Sequence, residues 1–136
     1  MPLKRKLLIA AAIGIPTLIV LSAFLLSTPM MTWYQKRIDR NPESEFSRDL
    51  QMFTADLCLM TWRPEEAAPR YRFYYERYTK DLRRSHALLR YAMALEEAGR
   101  NADARDIYLK YLSEYSDHEE KAEAEIGLNR IDPSRR

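Results

Sequence analysis

The stretch RPEEAAPRYRFYYERYTKD, from Arg63 to Asp81, falls on RNADARDIYLKYLSEYSDH, from Arg100 to His118, when the chain is shifted by 37 residues. Under that shift Ala67 meets Ala104, Tyr71 meets Tyr108, Tyr74 meets Tyr111 and Tyr78 meets Tyr115, while Tyr75 meets Leu112. Tyrosines at i, i+3 and i+7 share one face of an α-helix, so the same helical face is written twice. The segments just before, RDLQMFTADLCLMT (48–61) and SHALLRYAMALEEA (85–98), are also helical in pattern and align on Ala55 and Ala92. Each unit therefore reads as helix, short turn, helix. Pro64 suits a first helical turn, whereas Pro69 lies five residues further in. It predicts a late start for that helix, near Ala68, after a 3₁₀-like turn.

These residues resemble the tetratricopeptide repeat family, most closely over 85–116. Leu88, Tyr91, Ala92 and Leu95 stand where that motif packs its first helix. Gly99 stands in its turn, and Ala104 and Tyr108 stand where its second helix packs back. Tyr111 replaces a usual small residue, Ser116 replaces the usual proline, and the spacing is 37 rather than about 34. In the first unit Trp62 occupies the place of the glycine. The resemblance implies an array of helical hairpins that ends in a polar capping helix. The segment near Glu119 to Ile131 fits that cap, with Asp117 placed to cap its start and Asp132-Pro133 to end it.

Upstream, LLIAAAIGIPTLIVLSAFLLST (Leu7 to Thr28) runs for 22 residues without a charged side chain. At about 1.5 Å per residue it reaches roughly 33 Å, enough for a hydrocarbon core of roughly 30 Å. Trp33 and Tyr34 follow at headgroup level. Lys4, Arg5 and Lys6 also open a signal peptide, but the run exceeds the usual h-region and no A-x-A-like exit follows. The run therefore predicts a retained single-pass anchor. Lys4 to Lys6 abut the apolar run and, with the free amino group, favour a cytoplasmic N-terminus over the opposing Lys36, Arg37 and Arg40. The folded domain then lies outside the cytoplasm, periplasmic in a Gram-negative cell. Within the anchor, Ala10 and Gly14 form a small-xxx-small pair that lets another helix approach closely.

The sequence thus predicts an all-α protein. An N-terminal tail and transmembrane anchor occupy 1–31, a juxtamembrane linker 32–46, and a short tetratricopeptide-like helical-hairpin array with a C-terminal capping helix 47–136. Beyond Lys6, 19 Lys and Arg face 20 Asp and Glu, a near balance that does not call for nucleic acid. The distribution is uneven. Seven basic residues lie from Arg70 to Arg90 against Glu76 and Asp81, and ten acids lie from Glu96 to Glu125. Two solvated faces that pair with each other account for this pattern.

Catalysis finds little to work with: two histidines, no Gly-rich phosphate loop, no metal-spaced cluster and no serine elbow. His118-Glu119-Glu120 reads as a solvated first turn, and the lone Cys58 as a small buried apolar residue. Neither cofactor nor metal is expected, and the reading is non-enzymatic. The tyrosines read as core between paired helices. The alternative is a small ligand-binding or enzymatic helical domain that uses the Tyr and Arg surface.

The helix from Arg48 to Met60 is apolar around nearly its whole circumference, which predicts burial on more than one side. Met52, Leu59, Leu89 and Met93 lie off the packing stripe, on the face that lines the concave groove in proteins of the resembled family. They are the expected partner-binding residues. Cover by the juxtamembrane stretch or the C-terminal helix is the competing account. The function this implies is a membrane-anchored interaction module, an accessory or assembly subunit of a larger membrane protein complex. A cytoplasmic adaptor, with its basic middle segment near anionic lipid, is a further possibility.

Overall fold

A computed structural model describes residues 3–135. Among them seven α-helices follow one another: α1 (Leu3–Leu25), α2 (Thr28–Arg40), α3 (Glu45–Met60), α4 (Pro64–Arg77), α5 (Arg84–Glu97), α6 (Asn101–Glu114) and α7 (Lys121–Ile131). A 3₁₀ turn, Pro133–Arg135, closes the described chain, and no strand occurs in it. The protein is all-α, as its periodicity requires.

Helix α1 is long and apolar enough to cross a membrane, and none of its described residues is buried in the chain. A membrane anchor and a signal sequence both fit that description. Its hydroxyls are satisfied internally: Thr17 Oγ1 donates to Ile13 O at 2.7 Å, beside Pro16, and Ser22 Oγ to Ile19 O at 2.9 Å. Such internal bonds are what a helix in lipid needs.

The expected linker over 32–46 is instead mostly helix. Pro29 sits in the first turn of α2, and Met31, Tyr34 and Ile38, at i, i+3 and i+7, bury one face. That face packs on α3, with Tyr34 edge-on to Phe53 at 6.4 Å between centroids. Only three apolar residues carry this pattern among Lys36, Arg37 and Arg40, so it is faint in sequence. Helix α3 begins at Glu45, earlier than expected, because Ser44 caps it by accepting from Ser47 N at 3.1 Å. With α2 on one side and α4 on the other, α3 is buried on more than one side.

Helix α4 runs unbroken from Pro64, so the late start near Ala68 does not occur. Pro69 removes one hydrogen bond, to the carbonyl of Glu65. Both residues are on the exposed face, where water satisfies the freed oxygen. Helix α7 starts at Lys121, with Glu120 at its N-cap and no side-chain cap, so Asp117 does not serve as one. The Asp132-Pro133 stop is as expected: Asp132 N makes the last backbone bond, to Leu128 O at 2.9 Å.

The 37-residue shift is a three-dimensional repeat. Thr61, Trp62 and Arg63 donate their N–H groups to the carbonyls of Leu57, Leu59 and Cys58. Ala98, Gly99 and Arg100 donate theirs to Ala94, Glu96 and Leu95, the same three bonds one unit on. This is the Schellman arrangement, which needs a left-handed residue. Gly99 supplies it at φ 76° and Trp62, in the glycine's place, at φ 55°. The pairs Tyr71 and Tyr108, Tyr74 and Tyr111, Ala67 and Ala104, and Ala55 and Ala92 are all fully buried. Among the expected repeat-packing residues Leu88, Ala92, Leu95, Ala104 and Tyr108 are in the core, Gly99 makes the turn, and Tyr91 is half-buried.

Ala104 is small where α6 closes on α5. Ala104→Leu should overpack this crossing by about 1–3 kcal/mol. Thermal unfolding followed by circular dichroism should show a midpoint lower by at least about 4 °C. An unchanged midpoint would place the crossing elsewhere.

Candidate interaction surface

Internal alignment also locates the positions the array leaves open. On α5, His86, Arg90, Met93 and Glu97 follow i, i+4, i+7, i+11 spacing and form one face. Their equivalents on α3 are Asp49, Phe53, Asp56 and Met60. None of the eight is buried. Two are large apolar side chains in water: Phe53 is 45% exposed and Met60 is 78% exposed. Where the two faces meet, Asp56, Leu59, Met60, Tyr71, His86 and Arg90 bound an open cleft of about 190 Å³.

The polar groups of this cleft are already engaged. Tyr71 OH donates to Asp56 Oδ1 at 2.5 Å, and burial pushes the phenol far above its ordinary pKa, with the Asp56 bond adding to the effect. His86 Nδ1 meets Glu120 Oε1 at 2.6 Å, and Arg90 Nε donates to His86 Nε2 at 3.4 Å.

Met52 and Leu89 do not belong to this surface. They are equivalent under the shift, and both lie in the chain's own core, Met52 at 6% exposure and Leu89 fully buried. Leu59 and Met93 are half-buried and pack at the core's edge. Each first helix has neighbours beyond its own hairpin: α3 packs on α2 as well as α4, and α5 on α4 and α7 as well as α6, so the buried arcs are correspondingly wide. The pairing itself carries the missing signal. Met52 pairs with Leu89, apolar with apolar, which marks core. Leu59 pairs with Glu96, Met93 with Asp56, Phe53 with Arg90 and Met60 with Glu97, and a charged equivalent marks a position the core does not enclose.

The tyrosines are core, and most spend their hydroxyls inside the chain. Tyr75 donates to Glu114 at 2.6 Å, Tyr78 to Pro42 O at 2.8 Å and Tyr108 to Glu96 at 2.7 Å, while Tyr111 meets His118 Nδ1 at 3.0 Å. Burial raises Tyr75 to about 12, with Glu114 adding to the shift. The Tyr74 hydroxyl is buried without a hydrogen bond, beside Asp81. Burial alone would raise Glu96, but Arg130 and Tyr108, both donating to it, hold its carboxylate below the usual range.

Ser85 Oγ lies 3.1 Å from His118 Nε2, and Glu120 is on the other side of that ring, a serine–histidine–carboxylate sequence in outline. Ser85 is buried in the first turn of α5, so no substrate carbonyl reaches its Oγ; the cluster clamps α5, α6 and α7 together. Among the described residues no group of three or more His, Cys, Asp or Glu is arranged to hold a metal ion. On α1, a Cβ built on Gly14 would meet no atom within 4 Å, and Ala10 is exposed, so that small-residue pair is open.

No protein-family model matches this chain, and no characterised protein matches it.

Proposed function

We propose that this protein is a membrane-anchored, tetratricopeptide-like interaction module, an accessory or assembly subunit of a larger membrane protein complex. In this reading α1 is retained and spans the bilayer, with Lys4, Arg5 and Lys6 on the cytoplasmic side and the helical array outside the cytoplasm. The observation that carries it is the repeat-equivalent open face of α3 and α5. There Phe53 and Met60 stand in water beside a row of engaged charges, and their counterparts one unit on are Arg90 and Glu97. Apolar surface left in water on one face is what a partner covers. The short array favours a constitutive partner, since two hairpins and a cap bury a modest core.

The test is Phe53→Ser combined with Met60→Ser in the full chain, carrying a C-terminal tag and purified in mild detergent. Met60 is exposed and Phe53 gives up only its edge-on contact with Tyr34, so unfolding should stay within about 1.5 kcal/mol of the parent and the fold should persist. The protein that co-purifies with the parent should be lost or reduced at least tenfold. Undiminished recovery of that partner would refute the assignment of this face.

A further inference from the structure

The α3–α4 turn combines three features that folding alone does not explain. Trp62 holds a left-handed backbone at φ 55°, where its equivalent is Gly99. A bulky residue in that region is strained, and glycine would not be. Nor does packing offset the strain, because the indole is 87% exposed and Met60, at the end of α3, is 78% exposed. A residue that disfavours its own turn and leaves its ring in water points to something outside the chain.

The location of the turn identifies what that is. Arg63, next to Trp62, donates from Nη1 to the carbonyl of Leu26 at 3.3 Å. Leu26 follows the last residue of α1 and packs with Met30 against the core, so the anchor's exit is fixed beside this turn. The opposite ends of the hairpin meet elsewhere, where Tyr78 OH donates to Pro42 O at 2.8 Å and Arg77 pairs with Glu43 at 3.1 Å. The chain's other tryptophan, Trp33, is 51% exposed and lies in the second turn of α2, also close to the exit. Both tryptophans are therefore exposed at the anchored end of the array. Beside them Arg63 is held by Glu66, its Nε donating at 2.8 Å, whereas Lys36, Arg37 and Arg40 run along α2 toward its far end, where Arg37 lies over the Phe46 ring. Glu65 and Glu66, at the start of α4, are the acids nearest in sequence. Two exposed indoles beside the point where an apolar helix leaves the bilayer are the composition of a membrane interface.

We infer that Trp62 inserts into the headgroup region of the same leaflet from which α1 emerges. The array is thereby docked on the bilayer at a second point and cannot swing freely about the α1–α2 corner. This rests on α1 spanning the bilayer, as proposed above, and adds a lipid contact made by the folded domain.

The experiment uses the full chain carrying Trp33→Phe, so that Trp62 is the sole tryptophan, reconstituted without other proteins into phosphatidylcholine–phosphatidylglycerol vesicles. Trp62 emission should shift to shorter wavelength than in the Trp62 of the same protein unfolded in denaturant. It should lose most of its intensity when the vesicle lipids carry bromine high on their acyl chains, and it should resist aqueous iodide. Emission quenched by iodide and untouched by brominated lipid would overturn the inference, because the turn then stands in water. Protection from both quenchers would overturn it too, since protein then covers the ring. Alkaline extraction separates this from the anchor: protein that washes off refutes the spanning helix, whereas retained protein with lipid-insensitive Trp62 refutes only the docking. Trp62→Gly supplies the structural control. It should melt at or above the parent's temperature, because glycine relieves the turn; a lower midpoint would mean the indole packs on the chain and would also refute the inference.

Discussion

Leu89→Ser should unfold the helical array. Leu89 is fully buried on α5, in contact with the core that α4, α6 and α7 share. Truncating a buried leucine to alanine costs about 2–5 kcal/mol, and a serine hydroxyl left there without a partner adds about 1–3 kcal/mol. A domain of this size holds on the order of 5–10 kcal/mol in total. The loss is therefore comparable with the whole, and the melting midpoint should fall on the order of 20 °C or the transition should vanish. Met52→Ser, at the equivalent position of α3, should follow the same direction by a smaller amount, since Met52 retains slight exposure and methionine adapts more readily. Thermal unfolding by circular dichroism in detergent decides the matter. A Leu89→Ser protein that melts with the parent would mean the face of α5 is rotated from the one described, and Leu89 would return to the candidate surface.

The contrast with Phe53 and Met60 shows what the sequence makes legible. Helix class, the turn at Gly99, the apolar N-terminal helix and the tyrosine core all follow from short-range patterning, which depends on a single helix and its nearest neighbour. The open positions depend on how many neighbours each helix has, and periodicity within one helix carries no such information. The repeat does carry it, because two copies of one fold sample each position twice. Phe53 against Arg90 says open, and Met52 against Leu89 says closed.

Other differences have local causes. Helix α2 was hidden because three apolar residues, Met31, Tyr34 and Ile38, carry its whole packing face directly after a hydrophobic run. Pro69 reads as a breaker in sequence, but it and Glu65, whose carbonyl it frees, lie on the exposed face of α4. Trp62 differs from glycine in residue type, yet the backbone there keeps the glycine geometry. Asp117 satisfied a capping pattern, but His118 N bonds to Tyr115 O and Lys121 N to His118 O, a pair of turns that postpones the helix to Lys121.

Gly127→Leu should detach the capping helix. Gly127 is in the middle of α7, where replacement of glycine ordinarily stabilises a helix by about 0.5–1 kcal/mol. Here a Cβ would lie 2.4 Å from Tyr108 Cζ, 2.5 Å from its hydroxyl oxygen and 2.7 Å from Cε1. The ring has no room to withdraw, since Tyr108 is fully buried and its hydroxyl is held by Glu96 at 2.7 Å, which Arg130 of α7 grips in turn. Even Gly127→Ala therefore sets an overpacking penalty of about 1–3 kcal/mol against the smaller helical gain. The bulk of leucine forces α7 off altogether, with loss of the charge-assisted Tyr108–Glu96 bond, another 1.5–3 kcal/mol or about that. The expected total is roughly 3 kcal/mol or more, enough to expose the open edge of α5 and α6 that a terminal cap exists to cover. A double-mutant cycle isolates the cause. In a Tyr108→Ala background the ring is gone, and Gly127→Ala should turn from destabilising to neutral or stabilising by about 0.5–1 kcal/mol. If Gly127→Ala instead raises the melting temperature with Tyr108 intact, α7 does not pack on that ring, and the cap must be seated elsewhere on the array.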